Sequence, residues 1–333
     1  MMRGRHALRI QSAHLRYDLE FSRNVTVIQG DSATGKTTLV DMVQEYLLNG
    51  SDTGISLVCD CPCRVVAGST WREQLATIEG SIVFIDEGNR FVSSVDFAQA
   101  VRGSGNYFVI VTREALDNLP YSVTEIYGIK SSGKYGSLEP VYHEMYRIYG
   151  ELKQADETLD VLLTEDSNFG YDFFSSVAPA GGAECLSAGG AAKVFGALQE
   201  FGFDQRVVVI ADGAAFGSQM GRVYQLAERR GNICLYLPES FEWIILSSGI
   251  LNDGEVRRIL DNPSEYIDSA DYFSWERFFT DELVRRTRGT WLQYTKSRLN
   301  PVYVQGGCRG RILAVLPADV QRLMRAGTSR GGQ

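Results

Sequence analysis

A glycine-rich turn set between a strand and a helix constrains this chain more than any other feature. Gly30-Asp31-Ser32-Ala33-Thr34-Gly35-Lys36-Thr37 follows the apolar run Val25, Val27, Ile28 and opens into a helical segment, Thr38 to Leu48, that stops before Gly50. Such a junction aims backbone N–H groups and the positive end of the helix dipole at phosphate. The expected nucleotide contacts are Gly30, Asp31, Ser32, Ala33, Thr34, Gly35, Lys36, Thr37 and Thr38. In this pattern the lysine, Lys36, reaches the β- and γ-phosphates, and the Thr37 hydroxyl holds Mg²⁺.

A hydrolase also needs a carboxylate for Mg²⁺ and a group that polarises water. Val83-Phe84-Ile85-Asp86-Glu87 supplies both at the end of an apolar strand about fifty residues on. Asp86 is therefore expected at the metal and Glu87 at the water. The next strand ends Val111-Thr112-Arg113-Glu114, where either Thr112 or Arg113 could sense the γ-phosphate, or the strand could simply emerge into solvent. No Asn-Lys-x-Asp guanine reader is present, which argues against a small GTPase, and Mg²⁺ is the expected ion.

At 333 residues, with 44% hydrophobic and 22% charged residues, the chain suits a globular protein of two ordinary domains. No apolar run reaches the length of a membrane span, and the basic N-terminus lacks the apolar core of a signal peptide. A cytoplasmic setting without membrane partners is expected, with thiols reduced. Cys59-Asp60-Cys61-Pro62-Cys63 is spaced too tightly for the usual zinc pairs and lacks a second pair downstream, so these cysteines read as buried or edge thiols.

The net charge of -8 is uneven: Asp281 to Gln333 carries ten Lys or Arg against three Asp or Glu, a net +7 that leaves -15 elsewhere. Arg285, Arg286, Arg288, Lys296, Arg298, Arg309, Arg311, Arg322 and Arg325, with Trp291 and Tyr294 interleaved, could grip DNA or RNA phosphates. The competing reading is a helical face pairing with the acidic body. A homo-oligomer is also open.

Short strands alternate with helices in both halves, the pattern of parallel α/β sheets. In the first half the expected strands are Ile55 to Cys59, Arg64 to Val66, Ser81 to Ile85 and Tyr107 to Val111, with helices over Trp71 to Ile78 and Phe97 to Val101. Ser131 to Gly136 reads as a loop and Glu151 to Thr158 as a boundary. In the second half, strands are expected over Val161 to Thr164, Val207 to Ala211 and Ile233 to Leu237, and helices over Ala191 to Glu200, Gln219 to Arg229 and Tyr272 to Arg286. The tail from Gly327 reads as disordered.

The opening segment Ala7 to Phe21, followed by the phosphate loop, resembles the N-terminal hairpin of ABC-type and related ATPases. It departs from them in lacking a Leu-Ser-Gly-Gly-Gln signature before Asp86; Leu186-Ser187-Ala188-Gly189-Gly190 comes too late in the chain. In the second half, Leu163-Thr164-Glu165-Asp166, then the turn Ser187 to Lys193, then Val209-Ile210-Ala211-Asp212-Gly213, resemble in order the TOPRIM module of topoisomerases, primases and overcoming-lysogenization-defect nucleases. That resemblance spans roughly Asp160 to Leu246 and implies Glu165 as general acid/base and metal contact, Lys193 as the turn lysine and Asp212 as a metal ligand. The second acid of the usual Asp-x-Asp pair is Ala214 here; Glu239 or Glu242 could supply another carboxylate.

The expected fold is thus α/β throughout. It comprises an N-terminal P-loop NTPase sheet (1-150), a doubly wound TOPRIM-like domain (158-250) and a helical, basic extension (251-333). The combination resembles, in shorter form, the ATPase-nucleases of phage defence and mobile elements. It implies ATP hydrolysis, an AAA- or ABC-like P-loop hydrolase, that controls action on nucleic acid. A non-nucleolytic switch with a degenerate second domain is the alternative.

Overall fold

The computed structural model describes residues 2–30, 34–132, 141–150 and 159–325. Asp31, Ser32 and Ala33 of the glycine-rich turn, Gly133 to Gly136 of the expected loop, the expected boundary Glu151 to Thr158 and the tail from Gly327 lie outside these residues. The chain is mixed α/β and divides into two units, Met1–Tyr149 with Asn262–Ser274, and Gly150–Asp261 with Trp275–Gln333.

The first unit runs β1 (His6–Gln11), β2 (Leu15–Phe21), β3 (Val25–Ile28), α1 (Lys36–Asn49), β4 (Ser56–Cys59), β5 (Cys63–Val65), α2 (Trp71–Leu75), β6 (Ile82–Ile85), α3 (Val95–Arg102), β7 (Tyr107–Val111), β8 (Ile126–Ser132) and β9 (Val141–Arg147). All nine strands form one sheet, in the order β4-β1-β2-β9-β8-β3-β7-β6-β5. The stretch β8-β3-β7-β6-β5 is parallel, as the alternating pattern implies. The rest corrects that expectation, because β1 pairs antiparallel with β2 and β4, and β8 antiparallel with β9. Ser131 and Ser132 end β8 rather than beginning a loop.

Every residue of β3, β6 and β7 is buried, which explains their unbroken apolar spelling: a parallel strand covered on both faces has no solvent side to mark. Helix α1 packs its buried Leu39, Val40, Met42 and Val43 into a core that also contains Leu8, Ile10 and Leu19 of the antiparallel strands and Phe84 and Val109 of the parallel ones. The far segment 262–274 joins this unit through hydrogen bonds. The Met2 N–H donates to Ser269 Oγ (3.3 Å), Asn24 Nδ2 to the Ser269 carbonyl (3.0 Å) and the Gly4 N–H to the Ser264 carbonyl (2.7 Å).

The second unit runs β10 (Val161–Thr164), α4 (Phe169–Val177), β11 (Glu184–Ser187), α5 (Ala191–Glu200), β12 (Val207–Ile210), α6 (Gly217–Arg230), β13 (Ile233–Tyr236), α7 (Phe241–Ser247), α8 (Gly254–Asp261), α9 (Trp275–Thr287), α10 (Gly306–Val315) and α11 (Ala318–Arg325). Its sheet is fully parallel, in the order β11-β10-β12-β13. The order reverses between β10 and β12, the place where open sheets of this kind leave a crevice at their carboxyl ends. The stretch from 251 onward is not a separate extension: α9 and the segments after it pack into this unit, and 262–274 belongs to the other. Among the described residues no helix is long and apolar enough to cross a membrane.

Phe169 of α4 anchors the second unit's core. It is 1% exposed, and its ring lies 5.5 Å from Phe241, 4.7 Å from Tyr294 and 5.4 Å from Tyr303. Phe169→Ala is expected to cost about 3–5 kcal/mol of that unit's stability. Urea unfolding followed by tyrosine and tryptophan fluorescence measures it, and a loss under ~1 kcal/mol would contradict the anchoring role.

Candidate functional site

In the first unit the parallel strands bring three chain segments to one edge. Ile28 pairs with Val111, and Ile85 with Ile110, so Gly30 after β3, Thr112 after β7 and Asp86-Glu87 after β6 emerge side by side. Strand β7 stands between the other two. Helix α1 starts at Lys36, with Gly35 at its N-cap in the left-handed region (φ 90°). A side chain on Gly35 is excluded by its neighbours too, since a Cβ would sit 2.8 Å from the Tyr17 hydroxyl and 2.9 Å from the His143 ring. Tyr17 donates its hydroxyl to the Gly35 carbonyl (2.9 Å) and stacks on His143 at 4.5 Å. Burial holds the His143 imidazole below its usual pKa, favouring the neutral ring.

Lys36 is 4% exposed. Its ammonium donates to the Gly30 carbonyl (2.9 Å) and to Thr34 Oγ1 (3.1 Å), folding back over the turn. Thr38 lies within α1. Burial raises the Asp86 pKa and nearby Asp41 adds to it, while the Glu87 backbone N–H and the Thr37 hydroxyl, both donating to Asp86, oppose the rise. Asp86 Oδ1 is buried without a hydrogen-bond partner. Glu87 is paired with Arg113 at 2.6 Å. The Thr112 hydroxyl is engaged locally, donating to the Glu114 carbonyl (3.2 Å) and accepting from its N–H (3.1 Å).

In the second unit Glu165 follows β10 and Asp212 follows β12, the two strands that flank the reversal. Glu165 Oε2 accepts the Asp212 backbone N–H at 3.0 Å. Burial pushes the Glu165 carboxyl up to about 7, against N–H groups of Asp212 and Ala191 and with help from the negative charges of Glu276 and Asp166. Asp212, which keeps part of its surface open, is also shifted well upward by burial, then by Glu276, Glu242 and Glu165, with Lys296 opposing. A cavity of about 20 Å³, lined by Glu165, Asp166, Asp212 and Pro238 among others, sits here; it has room for roughly one water-sized guest.

Of this cluster, Glu276 is the member that sequence reasoning missed, and Glu242 one that it offered. Glu242, 2% exposed, accepts the Tyr294 hydroxyl at 2.6 Å. Glu276 on α9 pairs with Lys296. Tyr294 is 2% exposed, which corrects its expected place beside Trp291 on an open basic surface. The cation acting on Asp212 is Lys296; Lys193 is exposed and folds over Gly189. Ala214 is buried at 4%. Neighbouring Gly213 has no space for a side chain, because a Cβ would lie 2.4 Å from the Leu237 carbonyl oxygen. The turns after β12 and β13 are locked together there by the Gly213 N–H donating to the Pro238 carbonyl at 2.6 Å.

The carboxylates feel one another's charge, but they are not gathered as a ready-made metal cage: among the described residues, His6, Asp60 and Cys61 are the group whose ligand atoms all lie within 4.8 Å of one another. Of the expected basic patch, Arg285 pairs with Glu282, Arg286 (8% exposed) with Asp253, Glu255 and Glu282, and Lys296 with Glu276. Arg288, Arg298, Arg309 and Trp291 are exposed.

Compared with protein-family models and with curated protein sequences, the chain shows no significant match.

A raised carboxyl pKa favours the protonated acid, so the native state binds more protons than the unfolded chain between about pH 4.5 and 7. The Glu165 contribution to stability is therefore fully present below that window and lost as pH rises through it. The melting temperature of metal-free protein is expected to fall between pH 5 and 8, less steeply in Glu165→Gln; equal slopes in the two proteins would remove Glu165 from the cluster.

Proposed function

We propose that the first unit is a P-loop ATPase and that the second is a TOPRIM-like module acting on nucleic acid under control of the nucleotide state. The observation that carries the ATPase reading is the emergence of Gly30, Thr112 and Asp86-Glu87 at one sheet edge beside the start of α1 at Lys36, with the Thr37 hydroxyl bonded to an Asp86 that has an orphaned buried oxygen. That orphan suits a cation, as does the pairing of a hydroxyl and a carboxylate, hard oxygen donors of the kind Mg²⁺ takes alongside phosphate and water.

In this reading the Lys36 ammonium exchanges the Gly30 carbonyl and Thr34 hydroxyl for phosphate oxygens, and backbone N–H groups at the start of α1 hold the rest of the phosphate chain. Thr37 and Asp86 would hold Mg²⁺, which would supply neutralisation of charge on the β- and γ-phosphates. Glu87 orients the attacking water and accepts its proton. Arg113, now on Glu87, lies close enough to follow that carboxylate to the γ-phosphate or to release it. Thr112, with its hydroxyl on Glu114, contributes position rather than a sensing hydrogen bond.

For the second unit, the support is the convergence of Glu165, Asp212, Glu242 and Glu276 on a crevice with Lys296 as the nearby cation. Like charges brought together out of water call for a cation, and Glu242 and Glu276 offer the carboxylates that Ala214 does not. A divalent ion there would position a phosphodiester and polarise water, with Glu165, poised near 7, moving the proton. The non-nucleolytic switch has its own support: Tyr294 already occupies Glu242, and Lys296 already occupies Glu276. That both sites lie on one chain supports coupling between them.

Lys36→Ala is expected to abolish ATP binding measured by calorimetry with Mg²⁺. Glu87→Gln should still bind while hydrolysing about 100-fold or more slowly; normal binding by Lys36→Ala would sink the assignment. Incubation of the whole chain with plasmid DNA or single-stranded RNA, Mn²⁺ and ATP separates the two readings of the second unit. Cleavage lost in both Glu165→Gln and Asp212→Asn is the expected result, and no cleavage by the unaltered chain favours the switch.

A further inference from the structure

Strands β4 and β5 are the two outer edges of the nine-stranded sheet, yet only Asp60, Cys61 and Pro62 connect them. The sheet must therefore curl until its edges nearly meet at this corner, and the corner is where the thiols lie. Cys59 ends β4 and Cys63 begins β5. The Cys59 and Cys61 sulfurs are 3.6 Å apart. Two thiolates on one tetrahedral zinc, each about 2.3 Å from the ion, stand roughly 3.8 Å apart. Cys63, two residues beyond Cys61, is buried at 3% exposure.

The sequence argued against zinc on two grounds, cysteines spaced by a single residue and no second pair downstream to supply the remaining ligand. His6 at the start of β1 supplies it. Leu8 of β1 pairs with Cys59 of β4, which holds the two strands together at this end. The His6, Asp60 and Cys61 ligand atoms lie within 4.8 Å of one another. His6 Nδ1 is 3.0 Å from Asp60 Oδ2, and Nε2 is buried without a hydrogen-bond partner. A carboxylate on one ring nitrogen and an open second nitrogen is the arrangement that orients metal-bound histidines.

We propose that Cys59, Cys61, Cys63 and His6 form a structural zinc site, with Asp60 as the positioning residue behind His6. Three thiolates and one imidazole close a tetrahedron, leaving no position for a substrate, and soft sulfur ligands select zinc over the hard Mg²⁺ of the phosphate site. On binding, the three thiols give up their protons to solvent and no redox change occurs. The ion would pin the curled sheet at its open corner, clear of the nucleotide edge, so the site stands apart from the ATPase reading.

The test uses the full chain, reduced with a phosphine, loaded with Zn²⁺ alone and dialysed. About one zinc per chain is expected by atomic emission, together with thiolate-to-metal absorption when Co²⁺ replaces it. Cys61→Ser and the Cys59→Ser/Cys61→Ser double variant, at half-buried positions that spare buried Cys63, should lose both signals while circular dichroism stays native. Asp60→Asn should lower zinc affinity about 10- to 100-fold in competition with a chromogenic chelator. The proposal is overturned if the unaltered chain takes up less than roughly a tenth of an equivalent. Equal zinc in the double variant, or a Cys59–Cys61 disulfide with no metal in the protein as isolated, would overturn it as well.

Discussion

A parallel strand returns to its sheet only through a crossover, and crossovers of one hand leave every following turn at the same edge. Both units of this chain inherit their candidate chemistry from that constraint. In the first, three strands in register deliver a glycine-rich turn, a threonine and two acids to one edge; in the second, two adjacent strands deliver Glu165 and Asp212 across the reversal in strand order. The side chains differ, and the way the sheet assembles them is the same.

Legibility from sequence followed the same division. Strands buried on both faces, such as Tyr107–Val111 and Val207–Ile210, are unbroken apolar runs, and the residues that follow them could be read directly. Strand β9 could not be: Val141–Arg147 has a polar, charged spelling because much of it is exposed. Its contribution to the phosphate turn, His143 beneath Gly35, depends on the parallel pairing of β2 with β9. Glu276 was invisible for a related reason, since it lies on a helix more than sixty residues beyond Asp212 and meets it only in three dimensions. Cys59 to Cys63 were visible, but their companion His6 was more than fifty positions upstream.

The two acidic sites sit at different points on one electrostatic scale. Asp86 keeps a hydroxyl, a backbone N–H and one orphaned oxygen. The second cluster carries more negative charge, and its own tyrosine and lysine already answer part of it. Replacing Ala214 with an acid would not simply restore a ligand there. The position is buried, and the adjoining Gly213 backbone is locked to the turn after β13, so the new charge would lose water before it met an ion.

The first unit is closed by its own late segment, Asn262–Ser274, made after most of the second unit. Met2, Gly4 and Asn24 hydrogen-bond to Ser264 and Ser269, while the whole parallel sheet of the second unit is encoded in between. At 5–20 residues per second, the roughly 125 residues from the end of β9's unit segment to Ser274 take about 6–25 s to synthesise. For that interval the base of the first sheet lacks its final cover. The nascent chain must therefore carry an unfinished amino-terminal unit while the second unit is being made, and completion of the first waits on a segment that only emerges afterwards.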